Sequence, residues 1–473
     1  MQLKKFQVLR FFRVNDPYRL LGVLLLMVIA SIPLLLNPEA ITLQELKDLV
    51  LGEALNDGKT MYTQVVDDTP WLASQFAKWT ELIFGRSLTA RYILAMLILF
   101  FQAAFFSFIL IRNKAYNENN YFPALIFGVL CFFSFDMLSL SSELLASTFL
   151  LFALNNLFKE IEFRVQRDET ILNLGVYLGI ASMFVFSYSV FLVGSYIILL
   201  SFTRIDLRRS LLLVFGFLFP HLLLIMFYYF KGGLSELGNF FYAANFTIHS
   251  IDLVSWQSLL WLSSTVLIYF FFSMVMLSRE ARFTRYQSQL LQVMLIWVAV
   301  ALVNVLIARE RTPHSLITFL PSAAYFISHY LLLIRRKWIA ETMLWLFIIA
   351  IVGISFTARE KKFSRIDYSS MLVKNPNPET RIEGKRILVL TDDIRYYQNN
   401  KMASYFLNWN LSNEIFELHD YFKDLIWINE SFQKDLPDVI IDDKNRMRKI
   451  FSRLPQIERK YQRNGNVYEL KNN

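Results

Sequence analysis

The feature that most constrains this chain is the recurrence of apolar stretches long enough to cross a membrane. Several of these stretches are shorter than the roughly 20 residues of an untilted span, so their number, eleven, holds to within one or two. The eleven stretches run over 20–36, 92–111, 121–135, 138–158, 171–188, 190–202, 210–230, 258–277, 290–308, 315–334 and 338–356. This pattern predicts a polytopic α-helical membrane protein.

The composition agrees with that fold class. Of 473 residues, 55% are hydrophobic and 16% aromatic, and the mean hydropathy is +0.38. The net charge of +9 does not indicate a nucleic-acid partner, because basic residues of membrane proteins collect in cytoplasmic loops. Because Cys131 is the single cysteine, an internal disulfide is excluded. Its position in an apolar run predicts a buried thiol.

Loop charges predict the orientation of the spans. With the N-terminus in the cytoplasm, every inner loop is basic, whereas the predicted outer loops hold few Lys and Arg residues. The first apolar run ends in "IPLLLN" without a small-residue cleavage site, so we interpret it as an uncleaved span. The sequence therefore predicts a bacterial inner-membrane protein with a cytoplasmic N-terminus and a periplasmic C-terminal tail.

The chain divides by composition into three predicted parts. Residues 1–358 form the transmembrane domain, and a polar linker covers 359–384. Residues 385–473 contain the strand-like runs "KRILVLTDD", "DVIIDD" and "NVYELK" with helical patterns between them. They predict a small α/β domain, whose size is near the lower limit for independent stability.

The first predicted outer loop, 38–91, is far longer than a hairpin connection needs. The runs "TLQELKDLVLGEAL" and "PWLASQFAKWTELIFG" have amphipathic patterns, which predict two juxtamembrane helices lying on the outer leaflet. Asp67 and Asp68 stand between them, before Thr69 as cap and Pro70 as first helical residue. The pair can stabilise the helix start, act as a general base, or do both.

A second acid and a basic group are further candidates. Glu143 begins the fourth predicted span, where an acid must face protein or a water-filled cavity. Asp136, in the preceding turn, is interpreted as a solvated turn residue. Arg309 and Arg311 break the charge rule, and two interpretations are open: they pair with acids and reach the headgroups, or with His314 they hold a phosphate.

Other acids and bases give weaker signals. Lys231, followed by two glycines, is a lesser candidate for phosphate binding. The strand-end pairs Asp392-Asp393 and Asp442-Asp443 are interpreted as solvated turn formers. No Cys/His ligand spacing occurs, so no cofactor is indicated, although the need for a divalent cation stays open.

Together these pieces resemble the GT-C superfamily of polytopic glycosyltransferases. The phrase "GKTMYTQVVDDTPWLASQFAKWTELIFGRSLTARY" is similar to a run found in bacterial members, and the late "RTPHSLITFLPSAAYF" adds to the likeness. Tail phrases such as "YYQNNKMASYFLNWNLS" are similar to membrane proteins of Bacteroidota. The residues matched in the first phrase are Tyr62, Asp67, Asp68, Pro70, Leu72, Phe84, Gly85 and Arg91.

The resemblance implies a transferase that uses a polyprenyl-phosphate-linked sugar at the periplasmic face. It implies that the catalytic acids are Asp67, Asp68 and Glu143, and that the groups holding the donor phosphate are Arg309, Arg311, His314 and Lys231. One departure is that the segment after the first span, "NPEAITLQE", contains Glu39 and Glu45 but no Asp. That departure keeps open a non-catalytic scaffold that docks envelope proteins; a transporter is disfavoured because no repeated halves are visible.

Overall fold

The computed structural model describes residues 8–37, 40–162, 167–247, 251–280, 283–373, 382–417 and 422–471. It confirms a mostly helical chain with a small C-terminal sheet. The α-helices are α1 Val8–Phe12, α2 Arg19–Leu36, α3 Leu43–Asn56, α4 Trp71–Phe84, α5 Leu88–Arg112, α6 Phe122–Leu130, α7 Ser142–Glu162, α8 Asp168–Phe184, α9 Val190–Thr203, α10 Leu207–Lys231, α11 Leu234–Leu237, α12 Ala244–Phe246, α13 Trp256–Glu280, α14 Arg285–Ile307, α15 Leu320–Leu333, α16 Lys337–Arg359, α17 Trp409–Glu417, α18 Phe422–Lys434, α19 Met447–Arg453 and α20 Pro455–Glu458.

Within the described residues, nine helical stretches are long and apolar enough to cross a membrane. They correspond to α2, α5, α7, α9, α10, α13, α14, α15 and α16, some extended by adjoining turns. The predicted stretch 121–135 contains only α6, whose 9 residues are all buried. Such a helix rises about 14 Å, less than half of a hydrocarbon core of roughly 30 Å. The stretch 171–188 forms α8, of 17 residues.

Contacts divide the chain into two compact units that are not consecutive in sequence. Unit 1 comprises Met1–Glu39, Leu88–Leu222 and Ile248–Ser370. Unit 2 comprises Ala40–Ser87, Leu223–Thr247 and Met371–Asn473. Residues 40–87, most of the segment that we predicted as the first outer loop, therefore belong to the same unit as the predicted C-terminal domain.

Unit 1 is a helical bundle in which small residues allow close backbone approach. A Cβ added at Gly175 of α8 would lie 2.3 Å from the Leu213 carbonyl oxygen of α10, and one at Gly216 would lie 2.4 Å from that of Leu172. Glycines therefore let these two helices touch, as is common between helices in membranes. Two short strands, β1 Ile251–Asp252 and β2 Glu310–Arg311, pair in parallel beside the bundle helices.

Unit 2 contains the predicted α/β domain with more strands than the sequence indicated. The strands are β3 Arg386–Val389, β4 Lys401–Met402, β5 Val439–Ile441, β6 Tyr461–Asn464 and β7 Val467–Leu470. The three predicted runs form β3, β5 and β7, and the two further strands complete a sheet of order β4-β3-β5-β7-β6. The strand β3 is parallel to β4 and β5, whereas β7 is antiparallel to β5 and β6.

The segment 40–87 completes the core of unit 2. Val66 is fully buried and packs in the same apolar cluster as β3 and β5. Its N–H donates to the Tyr405 carbonyl at 2.7 Å, and its carbonyl accepts from the Asn408 N–H at 3.0 Å. Lys59 adds an ion pair with Asp435 at 2.6 Å. Chain segments far apart in sequence are therefore one folded body.

The two predicted helices of this segment exist, but their apolar faces differ. The helix α3 begins with a capping box, in which Thr42 and Glu45 exchange hydrogen bonds, and its apolar residues from Leu46 to Leu55 are buried. The helix α4 instead exposes Trp79, Leu82 and Ile83, at 61%, 63% and 66%. The expectation that both helices offer an apolar face to lipid therefore does not hold for α3.

Candidate functional site

The first candidate site is the Asp67–Asp68 turn of unit 2. Both residues are buried, with 0% and 4% of their surface exposed. The Oδ2 atom of Asp67 accepts the Thr69 N–H at 3.1 Å and also the Thr69 hydroxyl. Pro70, not Thr69, takes the N-cap position of α4, and its side chain makes no capping hydrogen bond. Asp67 thus fixes the local turn, and the predicted cap was displaced by one residue.

An ammonium from α3 lies between the two carboxylates. The Nζ atom of Lys47 is 3.0 Å from Asp67 Oδ1 and 3.2 Å from Asp68 Oδ1. Asn408 donates to the same Asp68 oxygen at 2.9 Å, and Asn245 donates to the Asp68 backbone carbonyl at 2.8 Å. Three separated chain segments therefore build this cluster, which carries a formal charge of −1 from two acids and one base.

Tyr62 is hydrogen-bonded to the turn and adopts an unusual backbone conformation. Its φ of +66° lies in the left-handed region, where a bulky residue is rare and marks local strain. The fully buried ring packs against Tyr228 and Phe241, and its hydroxyl donates to the Thr69 carbonyl at 2.8 Å. Burial, with smaller effects of Tyr228 and the Asp67 charge, raises the pKa of Tyr62 well above its usual value, so the hydroxyl remains a donor.

The second candidate site is in unit 1, where Asp136 corrects our sequence interpretation. The residue lies in a 3₁₀ turn, Phe135–Leu138, and is only 3% exposed, so it is not solvated. Its Oδ2 accepts the His314 N–H at 2.9 Å. Burial raises the pKa of the Asp136 carboxyl, and the neighbouring His314 opposes that rise.

The imidazole of His314 ties this turn to the start of α7. Its Nδ1 lies 2.8 Å from the Asp136 backbone carbonyl, which only accepts, so Nδ1 carries a hydrogen. In the neutral ring Nε2 then accepts from the Ser141 hydroxyl at 2.8 Å. Ser141 in turn accepts the Leu144 N–H at 3.1 Å, and Ser139 is more distant from Nδ1, at 3.4 Å. Both ring nitrogens therefore have partners within the protein.

The predicted arginines of unit 1 lie on the short strand β2 and just before it. Arg311 forms an ion pair with Asp252, which lies opposite it in the β1–β2 pairing. Its guanidinium carbon is 5.1 Å from the centroid of the Trp256 ring, within the range of a cation–π contact. Arg309, two residues earlier, is half-buried.

The remaining predicted residues are divided between the two units. Glu143 is half-buried in the first turn of α7 in unit 1. Lys231 is exposed at the end of α10 in unit 2. Glu45 is part of the α3 capping box, whereas Glu39 lies outside the described residues. Asp67, Asp68 and Lys231 thus belong to one unit, and the other candidates belong to the second.

Sequence reasoning missed the residues that complete the Asp67–Asp68 cluster of unit 2. Lys47, Asn245 and Asn408 carry no local motif, and only their contacts with the acid pair identify them.

Among the described residues, no group of three or more His, Cys, Asp or Glu side chains is arranged to hold a metal. Asp442 is a turn former but is buried, and its carboxylate accepts two backbone N–H groups at the start of α19.

No protein-family model matches this sequence, and no curated protein matches it. Several solved structures are similar to parts of this chain. ArnT from Cupriavidus metallidurans bound to undecaprenyl phosphate is 12% identical over 70% of this chain and 63% of its own, with a TM-score of 0.48.

The apo state of the same ArnT gives 14% identity over 72% and 65% of the two chains, with a TM-score of 0.49. The apo oligosaccharyltransferase of Archaeoglobus fulgidus gives 9% identity, coverages of 94% and 73%, and a TM-score of 0.46. This chain spans less than two thirds of the length of ArnT in both comparisons.

Proposed function

We propose that this protein is a membrane glycosyltransferase of the GT-C type. It transfers a sugar from a polyprenyl-phosphate donor to an acceptor at the periplasmic face of the bacterial inner membrane. The observation that carries the proposal is the buried Asp67–Asp68 pair, which surrounds the Lys47 ammonium. In the sequence, only the helix α4 separates this pair from the apolar helix α5. Such a cluster is expensive to bury, and departures from good packing chemistry concentrate at functional sites.

Sugar transfer requires a base that removes the proton of the acceptor hydroxyl. Asp67 or Asp68 takes the hydroxyl proton while the acceptor oxygen bonds to the sugar carbon and the bond from that carbon to the phosphate oxygen breaks. The Lys47 side chain is 23% exposed, against 0% for Asp67 and 5% for Asp68, so we propose that the acceptor approaches past Lys47. We propose Glu143 as a further catalytic acid.

The leaving phosphate gains charge as that bond breaks and needs cationic donors. Arg309, Arg311 and His314 are proposed to hold it, with Lys231 as a further contact. The Arg311 guanidinium offers a planar fork that suits phosphate, and one nitrogen of that fork, Nη1, is paired with Asp252. The donor phosphate then takes the place of the Asp252 carboxylate at that nitrogen.

The test is the double substitution Asp67→Asn and Asp68→Asn in the full chain. We expect sugar transfer to fall by about 100-fold or more, the usual contribution of a general base, while membrane insertion is unchanged. The control is Asp392→Asn, an exposed acid of unit 2, which leaves transfer unchanged. Full transfer by the double variant rejects the assignment.

A second candidate function is a non-catalytic scaffold that docks envelope proteins. The observation in its favour is that Asp67 and Asp68 already have partners in Lys47, Thr69 and Asn408, as acids with a purely structural role do. Stoichiometric partners in a pull-down, together with the absence of lipid-linked sugar from the purified protein, select this function.

A further inference from the structure

We propose that Asp67 and Asp68 form a cation site that is already filled by the Lys47 ammonium, so the pair takes no divalent metal while Lys47 is present. Lys47 then replaces a metal ion with a group of the chain itself. This inference does not depend on sugar transfer, because metal binding is measured directly.

The distances fit an ammonium rather than a metal. The Lys47 Nζ atom lies 3.0 and 3.2 Å from one oxygen of each carboxylate, within the range of charge-assisted contacts of nitrogen with oxygen. A magnesium or calcium ion bridging the same two oxygens would sit at about 2.0–2.6 Å from each. Carboxylate oxygens are the ligands that such hard cations prefer.

One oxygen of the pair has the Lys47 ammonium as its partner. Asp67 Oδ1 is buried and, among the described residues, accepts no hydrogen bond; its contact is the ion pair with Lys47. The other Asp67 oxygen is held by Thr69, and Asn408 holds Asp68 Oδ1. These donors orient both carboxylates independently of Lys47, so the site persists when the ammonium is removed.

The charges predict the effect of removing Lys47. With the ammonium present, the formal charge of the cluster is −1. Without the ammonium, the formal charge is −2, and the two buried carboxylates repel each other. A divalent cation would then neutralise the pair completely. If Lys47 is only an ordinary ion-pair partner, its removal instead leaves a cluster that binds no metal.

The experiment titrates the purified full chain with Mn²⁺, following free Mn²⁺ by EPR and unfolding by Tm. In the natural protein we expect no Mn²⁺ bound at the pair and no shift in Tm. Lys47→Met should unfold at a lower temperature, bind about one Mn²⁺, and regain at least about 2 °C of Tm with saturating Mn²⁺. Lys47→Arg, which keeps the charge, is the matched control and should behave as the natural protein does.

Two results overturn the inference. One is Mn²⁺ binding by the natural protein that disappears in Asp67→Asn/Asp68→Asn. The other is a folded Lys47→Met variant that binds no Mn²⁺, or binds it equally well when Asp67 and Asp68 are also replaced by Asn. Lys47→Gln serves if the methionine variant does not fold, and if neither folds, the comparison of the natural protein with the double Asn variant decides.

Discussion

The two polar clusters of this protein bury carboxylates in different ways. In unit 2 the ammonium of Lys47 lies against both Asp67 and Asp68, so opposite charges share one buried space. In unit 1 Asp136 meets a backbone N–H and the His314 ring, and burial raises the pKa of its carboxyl. The first cluster is therefore sensitive to loss of a charge, whereas the second is sensitive to pH and to loss of hydrogen bonds.

The largest expected effect is on the chain segment that presents the acid pair of unit 2. Val66→Asp places a charge in the apolar cluster and should lower the free energy of unfolding of unit 2 by about 3 kcal/mol or more. Ile426→Asp, at a position 57% exposed in the same unit, should change it by less than about 0.5 kcal/mol. Proteolysis of the C-terminal region against temperature measures both; equal resistance of the two variants contradicts the assigned core.

A smaller effect is expected from the hydrogen bonds of unit 1. His314→Ala removes the donor to the Asp136 carbonyl and the acceptor for Ser141, and should cost about 2 kcal/mol in thermal unfolding. Ser139→Ala, which removes only a contact of 3.4 Å, should cost a few tenths of that. Similar Tm values for the two variants would show that the histidine does not organise this turn.

The smallest effect is a pH dependence that separates the clusters. The folded pKa of Asp136 is raised above its ordinary value of 3.8, so the stabilising effect of its proton is complete below that pH and is lost as pH rises through the folded pKa. The Tm should therefore fall with rising pH more steeply in the natural protein than in Asp136→Asn. Identical slopes for the two proteins would exclude a titration of Asp136.

Sequence patterns predicted what depends on local periodicity. The runs of β3, β5 and β7 and most long helices lie where hydrophobic patterns indicated. The pattern of α3, however, does not tell whether its apolar face meets lipid or protein, and the structure buries it. The run containing α6 is apolar throughout because it is buried on all sides, so composition alone suggested a span.

The candidate sites were predictable only in part, because their partners are distant in sequence. Asp136 was interpreted as a solvated turn, yet its environment is set by His314, 178 residues away. Asp68 was identified from the sequence, but Asn408, 340 residues away, was not. Long-range pairs of this kind leave no periodic signal, so local reasoning finds one partner and misses the other.

The proposed function requires that the protein binds a polyprenyl-phosphate-linked sugar. The most direct measurement is mass spectrometry of lipids extracted from the purified full chain, compared with the Arg311→Ala variant. We expect a polyprenyl-phosphate lipid to co-purify with the natural protein and to be depleted in the variant. A natural protein that carries no such lipid, and does not bind one when it is added in excess, would rule out the proposed donor.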